Sequence, residues 1–181
     1  MSDDVNAGWL PDLILLEEHE GDWSRYLWAI YEYFCADFVR SRPAFDGKQV
    51  SIKEYPRLDS KEFCFWHLIS EGSSEEERVP ELRRCERIRW PRPIIEVFPD
   101  LTRIKTWHGR RGDQVRVVIS LSDFSYVVVL IPRRSHVLLL TAYPVEREHR
   151  KTKLRKEYED AQKRLAPPTN SGASTPSTHG G

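Results

Sequence analysis

The sequence predicts an α+β protein in which N-terminal helices pack on a C-terminal four-stranded antiparallel sheet. Apolar residues recur at helical spacing from Trp23 to Phe38. Beyond Asp100 the spacing changes to period two, where TRIKTWHG, QVRVVISL, SYVVVLIP and SHVLLLTAY follow one another. The connectors GRRGD, SDF and RRS are too short for a parallel crossover, which needs about a dozen residues, so the neighbouring strands run antiparallel. The last two strand segments are almost wholly apolar, which requires helices over at least one face of the sheet. With 181 residues, 39% of them hydrophobic, the chain suits one sizeable core.

Residues 1–22 form an acidic leader with one apolar cluster, WLPDLILL from Trp9 to Leu16, suited to docking on the body or on another protein. Asp22 has the chemistry of an N-cap, and Trp23, Tyr26, Leu27, Ile30, Phe34 and Phe38 make one helical stripe that Pro43 ends. KQVSIKEY (48–55) and EFCFWHLIS (62–70) flank the turn-like PRLDSK, which predicts a β-hairpin, although the second run also fits a short helix. SSEEE (73–77) is a solvated acidic loop. After Pro80, Leu82, Cys85 and Ile88 line one side of a helix whose polar sides carry Arg83, Arg84 and Arg87, and Pro91 and Pro93 interrupt it. Past the meander, Glu146 to Leu165 predicts a charged helix with a thin stripe of Leu154, Tyr158, Ala161 and Leu165. The remainder is too polar to bury a core and predicts disorder. The expected organisation is therefore an acidic leader (1–22), a single α+β domain (23–165) and a disordered tail (166–181), with no internal repeat.

The formal charge is zero, from 28 bases and 28 acids, but it is unevenly placed. The leader holds seven of the acids and no Lys or Arg, so the rest of the chain sets 28 bases against 21 acids, about +7. Such a basic body attracts polyanions. Cys35, Cys64 and Cys85 are odd in number and too widely spaced for a CxxC clip, which predicts buried thiols in a reducing compartment and a cytoplasmic location. No apolar run of about 18 residues and no secretory leader is present, so no membrane partner is expected. HExxH, Cys/His ligand spacings and Gly-rich phosphate loops are all missing, so no metal and no cofactor is expected.

The basic body does carry the residue types that metal-free phosphodiester chemistry uses. That chemistry needs a proton acceptor for a neighbouring hydroxyl, cations for a pentacoordinate phosphate and a proton for the leaving oxygen. His67, in FWHLISEG, has the imidazole for proton transfer, and Glu71 shares its face if the segment is helical. Arg84 and Arg87, with Arg83 in support, suit a phosphate clamp, against which stands a salt-bridge network with Glu81 and Glu86. Strict alternation puts Thr141 and Tyr143 on one face with Leu139, and hydroxyls there need partners, which favours a site role. His108, Arg110 and Arg111, in a Gly-bounded turn, and Lys153, early in the last helix, are candidate contacts to a nucleic-acid backbone.

The segments FWHLISEG, LRRCERIRW and LLLTAYPVEREHRKTKLRKEYE, in that order and over about Lys48 to Tyr158, resemble phage- and prophage-associated members of the superfamily that groups barnase, EndoU, colicin nucleases and RelE. The resemblance implies a barnase- and RelE-like sheet and a metal-independent ribonuclease, of the toxin, toxin–antitoxin or phage-defence type. It also implies RNA as partner, an antitoxin-like inhibitory protein, and a cleft lined by His67, Arg84, Arg87, Thr141 and Tyr143. The chain lacks the glutamate of a barnase-like strand at an assignable place. The expected activity is RNA cleavage by 2′-hydroxyl attack. The alternatives are a non-catalytic nucleic-acid-binding module and a phage-encoded inhibitor acting through the leader.

Overall fold

A computed structural model describes residues 8–166, apart from 73 and 75. The predicted tail from 167 onward therefore lies outside the described residues, as do part of the leader and part of the acidic loop. The chain is α+β, but its main sheet is not the four-stranded antiparallel, barnase- and RelE-like one that was expected. Six mixed strands form a curled half-barrel, in which two short strands from the N-terminal half extend the meander beside its last strand.

The helix predicted from Asp22 is present as α1, Trp23–Phe34, with the Asp22 carboxylate accepting from the amides of Ser24 and Arg25 at 2.8 and 3.1 Å. It continues as a π-helical turn over Cys35–Val39. Tyr26, Ile30, Phe34 and Phe38 are its buried stripe. Strands β1 (Ala44–Phe45) and β2 (Lys48–Ile52) then form a tight hairpin. Asp46 and Gly47 both have positive φ there, as a two-residue turn matched to strand twist requires.

Two corrections follow from β2. It does not pair with the segment after PRLDSK, because Phe63–Ile69 is a helix, α2. That run buries Cys64, Phe65, Leu68 and Ile69, a helical face rather than an alternating one. Instead β2 runs parallel to β8, with Val50, Ser51 and Ile52 opposite Val137, Leu138 and Leu139. This pairing turns the antiparallel meander into a mixed sheet, and no local pattern announces a partner so far along the chain.

A small second sheet, β3 (Ser70–Glu71) with β4 (Val79–Pro80), leads into α3, Leu82–Glu86. Gly72 is required in this hairpin, since a Cβ there would lie 2.8 Å from the Arg78 backbone. Pro91 and Pro93 do not merely interrupt a helix: they open a new one, α4, Pro91–Glu96, in whose first turn a missing amide hydrogen costs nothing. The meander is as predicted, with β5 (Ile104–Arg111), β6 (Gln114–Leu121), β7 (Tyr126–Pro132) and β8 (Val137–Pro144) each antiparallel to the next. Helix α5, Glu148–Leu165, closes the described chain.

The sheet is covered on both faces, which is why β7 is apolar throughout. On one side Ile119, Val128, Leu130 and Leu139 pack with residues of α1, α2 and α4. On the other, Trp107, Val118, Val127 and Val129 meet Leu154, Tyr158 and Ala161 of α5. The described part of the leader is not a free arm. Ile14 is buried in the core, the Tyr26 hydroxyl donates to its carbonyl at 2.8 Å, and the Trp90 indole donates to Pro11 O at 2.9 Å. Among the described residues no helix is long and apolar enough to cross a membrane.

Candidate functional site

The C-terminal end of β8, the start of α5, α3 and the β3–β4 hairpin converge on one cleft. Three adjoining hollows of about 350, 300 and 530 Å³ share Arg84 and Arg150. Tyr143 forms a wall of the first two, and Glu71 borders the second and third. Arg78 enters from the hairpin, and Lys153 and Glu157 enter from α5.

The three arginines of α3 and its C-terminus differ in what they meet. Arg83 is ion-paired with Glu146. Arg87 pairs with Glu86 at 3.2 Å, donates to Arg83 O at 3.0 Å and lies over the Trp90 ring, outside the cleft. Glu81 spends its carboxylate as the N-cap, accepting from the amides of Arg83 and Arg84 at 3.0 and 3.1 Å. Arg84 is left as the half-buried cation of the cleft: its Nη1 is buried with no hydrogen-bond partner, and its guanidinium sits 5.4 Å from the centre of the Tyr143 ring. Burial, and then the neighbouring Arg78 cation, push the Arg84 pKa down. An anion there relieves both effects at once.

Tyr143 is shifted the other way. Burial and the Glu157 carboxylate raise its pKa, while Arg84, Arg150 and Arg116 oppose the rise. The phenol therefore stays protonated at neutral pH and faces the cleft as a hydrogen-bond donor.

Thr141 and Tyr143 do not share a face with Leu139. A bulge shifts the β7–β8 register, so that Leu139 opposes Leu130 but Thr141 opposes Val129, with Leu140 extra between them. Leu139 then belongs to the core under α1 and α2, whereas Leu140 and Tyr143 pack toward α5. Thr141 is half-buried in the strand and is not part of the cleft lining.

His67 lies in α2 outside the Arg84 cleft. Its ring stacks on Phe63, with centroids 5.7 Å apart, and lines a separate hollow that shares Arg78 with the cleft. His108 and Arg110 border a further hollow against the far end of α5, and Arg111 is exposed at the β5–β6 turn. The structure thus unites Arg83, Arg84, Tyr143 and Lys153, and leaves His67, Arg87, Thr141, His108, Arg110 and Arg111 elsewhere.

The sequence reading missed Arg78, Arg116, Arg150 and Glu157. Arg116 had a visible signal, a charge inside the apolar alternation of β6, and its Nε is buried without a hydrogen-bond partner. Arg150, Lys153, Leu154 and Glu157 recur at helical spacing on one face of α5. Arg78 had no periodic signal: it is aimed by the β3–β4 hairpin, in which its guanidinium donates to the Ser70 and His67 carbonyls. Among the described residues no group of three or more His, Cys, Asp or Glu side chains is placed to hold a metal ion.

No family model, no curated protein and no solved structure matches this chain.

Proposed function

We propose that the protein is an endoribonuclease that binds the RNA backbone in the Arg84 cleft and cleaves it by attack of the adjacent 2′-hydroxyl. The observation that carries this reading is the half-buried Arg84 guanidinium, whose Nη1 has no hydrogen-bond partner while Arg83 and Arg87 are both ion-paired with carboxylates. Leaving such a group unsatisfied costs about 1–3 kcal/mol, which a phosphate oxygen recovers. The resemblance of the three segments to metal-independent ribonucleases, together with the excess positive charge beyond the leader, favours RNA over other phosphates.

In this mechanism Arg84 and Arg150 hold the non-bridging oxygens and stabilise the charge of the pentacoordinate phosphorus. Glu71, on the rim of the same cleft, accepts the 2′-hydroxyl proton as the O2′–P bond forms. Tyr143, kept protonated by burial, donates to the 5′-oxygen as the P–O5′ bond breaks. The products are a 2′,3′-cyclic phosphate and a 5′-hydroxyl. Solvent returns the proton from Glu71 to Tyr143. His67, on the far side of Arg78, takes no proton in this scheme. A cytoplasmic location, where three buried thiols stay reduced, is part of the same proposal.

The test is incubation of the purified protein with total RNA in excess EDTA, followed by end-group analysis. Cyclic phosphate ends that vanish in Arg84→Gln and Glu71→Gln, both still folded, support the assignment. Binding without cleavage in the parent protein moves the reading to a non-catalytic RNA-binding module.

A further inference from the structure

We infer that the apolar hollow on the other side of Arg78 receives the RNA base next to the phosphate held at Arg84; this rests on the backbone-binding reading above. The hollow has a volume of about 410 Å³ and is walled by Leu58, Phe63, Trp66, His67 and Pro80, with Arg78 at its edge. Arg78 also borders the arginine cleft. One fixed cation therefore stands between a phosphate site and an aromatic, apolar cavity. A nucleotide has the complementary layout, a flat heteroaromatic ring joined through a sugar to an anion.

The hollow is a built one. Arg78 is held in place by donating from Nη2 to Ser70 O at 2.8 Å and His67 O at 3.1 Å. The outer wall, the loop carrying Leu58, is pinned by the Trp66 indole donating to Leu58 O at 2.9 Å and by reciprocal amide–carbonyl bonds between Leu58 and Lys61 at 3.1 and 2.9 Å. At its base Arg57 pairs at 3.3 Å with Glu62, whose side chain is 4% exposed and also accepts from the Tyr31 hydroxyl at 2.9 Å. The Phe63 and His67 rings lie within 24° of parallel on one side. At its rim Leu58 is 60% exposed, apolar surface that the protein's own core does not cover. Stacking on aromatic rings beside a cation that tracks the backbone is how proteins hold single-stranded bases. His67 thus contributes a stacking surface in place of the proton transfer that the sequence suggested.

The experiment measures binding of the full chain to a fully 2′-O-methylated single-stranded RNA, which cannot be cleaved by 2′-hydroxyl attack, and to a series with one abasic position moved along it. The expected result is a loss of roughly 10- to 100-fold at one position of the series, the size of a base–aromatic contact. Leu58→Glu, at an exposed rim residue, and Phe63→Leu should bind the intact strand weakly and no longer distinguish it from the abasic one. Arg84→Gln should weaken both strands alike. If every abasic strand binds like the intact one while Arg84→Gln still weakens binding, the base pocket is wrong and the backbone cleft stands. If Arg84→Gln changes nothing, the backbone reading falls and takes the base pocket with it.

Discussion

Arg84 and Arg87 are one helical turn apart and chemically identical, yet they answer to different partners. Arg87 neutralises Glu86, caps the Arg83 carbonyl and covers Trp90, all within the body of the protein. Arg84 keeps a buried Nη1 without a hydrogen bond and leans on the face of Tyr143. The two substitutions should therefore separate stability from activity. Arg84→Gln is expected to lower RNA cleavage by roughly 100- to 1,000-fold, the usual loss for one preorganised transition-state donor, without lowering the thermal midpoint. Arg87→Gln is expected to leave cleavage within a few-fold and to cost about 1 kcal/mol in urea unfolding. The opposite pattern would move the site to the Arg87 side of the helix.

At the scale of the element, the short helices α2 and α3 each bury a cysteine beside their large apolar residues. The Cys64 thiol lies 3.9 Å from Leu139 O of β8, and Cys85 lies 3.9 Å from Ile69 O at the end of α2. Burial pushes both thiols up from an ordinary 9.0 to about 12. A pKa raised by folding means that the native state binds the proton more tightly than the unfolded chain does. The associated stability is intact below pH 9 and is lost as pH climbs toward 12. At a pH midway through that window each thiol should cost about 2 kcal/mol, an order-of-magnitude figure. Urea midpoints measured from neutral to strongly alkaline pH should therefore fall, and replacing Cys64 and Cys85 with Ala should flatten the decline. Thiol reagents at neutral pH should label both residues only after unfolding.

For the molecule as a whole, the two sheet faces divide the labour. The face under α1, α2 and α4 is the larger core, and the face under α5 carries the smaller one. The cleft lies where α3 and α5 approach each other across the C-terminal end of β8, so it draws side chains from both halves of the chain. The apolar part of the leader belongs to the larger core. Truncation through Leu16 removes buried Ile14 and the carbonyls that Tyr26 and Trp90 bond. We expect this to cost about 4 kcal/mol, from one large apolar side chain and two hydrogen bonds. Chemical denaturation of the truncated and full chains measures the difference. An unchanged midpoint would mean that the apolar cluster of the leader serves another protein rather than the body, the second role the sequence allows it.

Much of this architecture was legible in the residues. The Asp22 cap, the stripe from Tyr26 to Phe38, the short connectors of the meander and the thin stripe of α5 are local signals, and each produced the expected element. Arg84 and Tyr143 were legible too, as a cation among cations and a hydroxyl at the end of an apolar strand. What stayed hidden depends on partners distant in the chain. Nothing near Val50 announces Val137, so the mixed sheet was read as antiparallel. One extra residue at Leu140 reverses which face Tyr143 presents, and a period-two pattern does not record it. Which of three neighbouring arginines is left without a close ion pair was settled by Glu146, far along the chain, which takes Arg83, and by the hairpin that brings Arg78 alongside Arg84. Periodicity tells which side of an element is buried, because burial follows from geometry within a turn or a strand. Charge pairing and strand partners are set by distances in space, and those exist only once the chain has closed on itself.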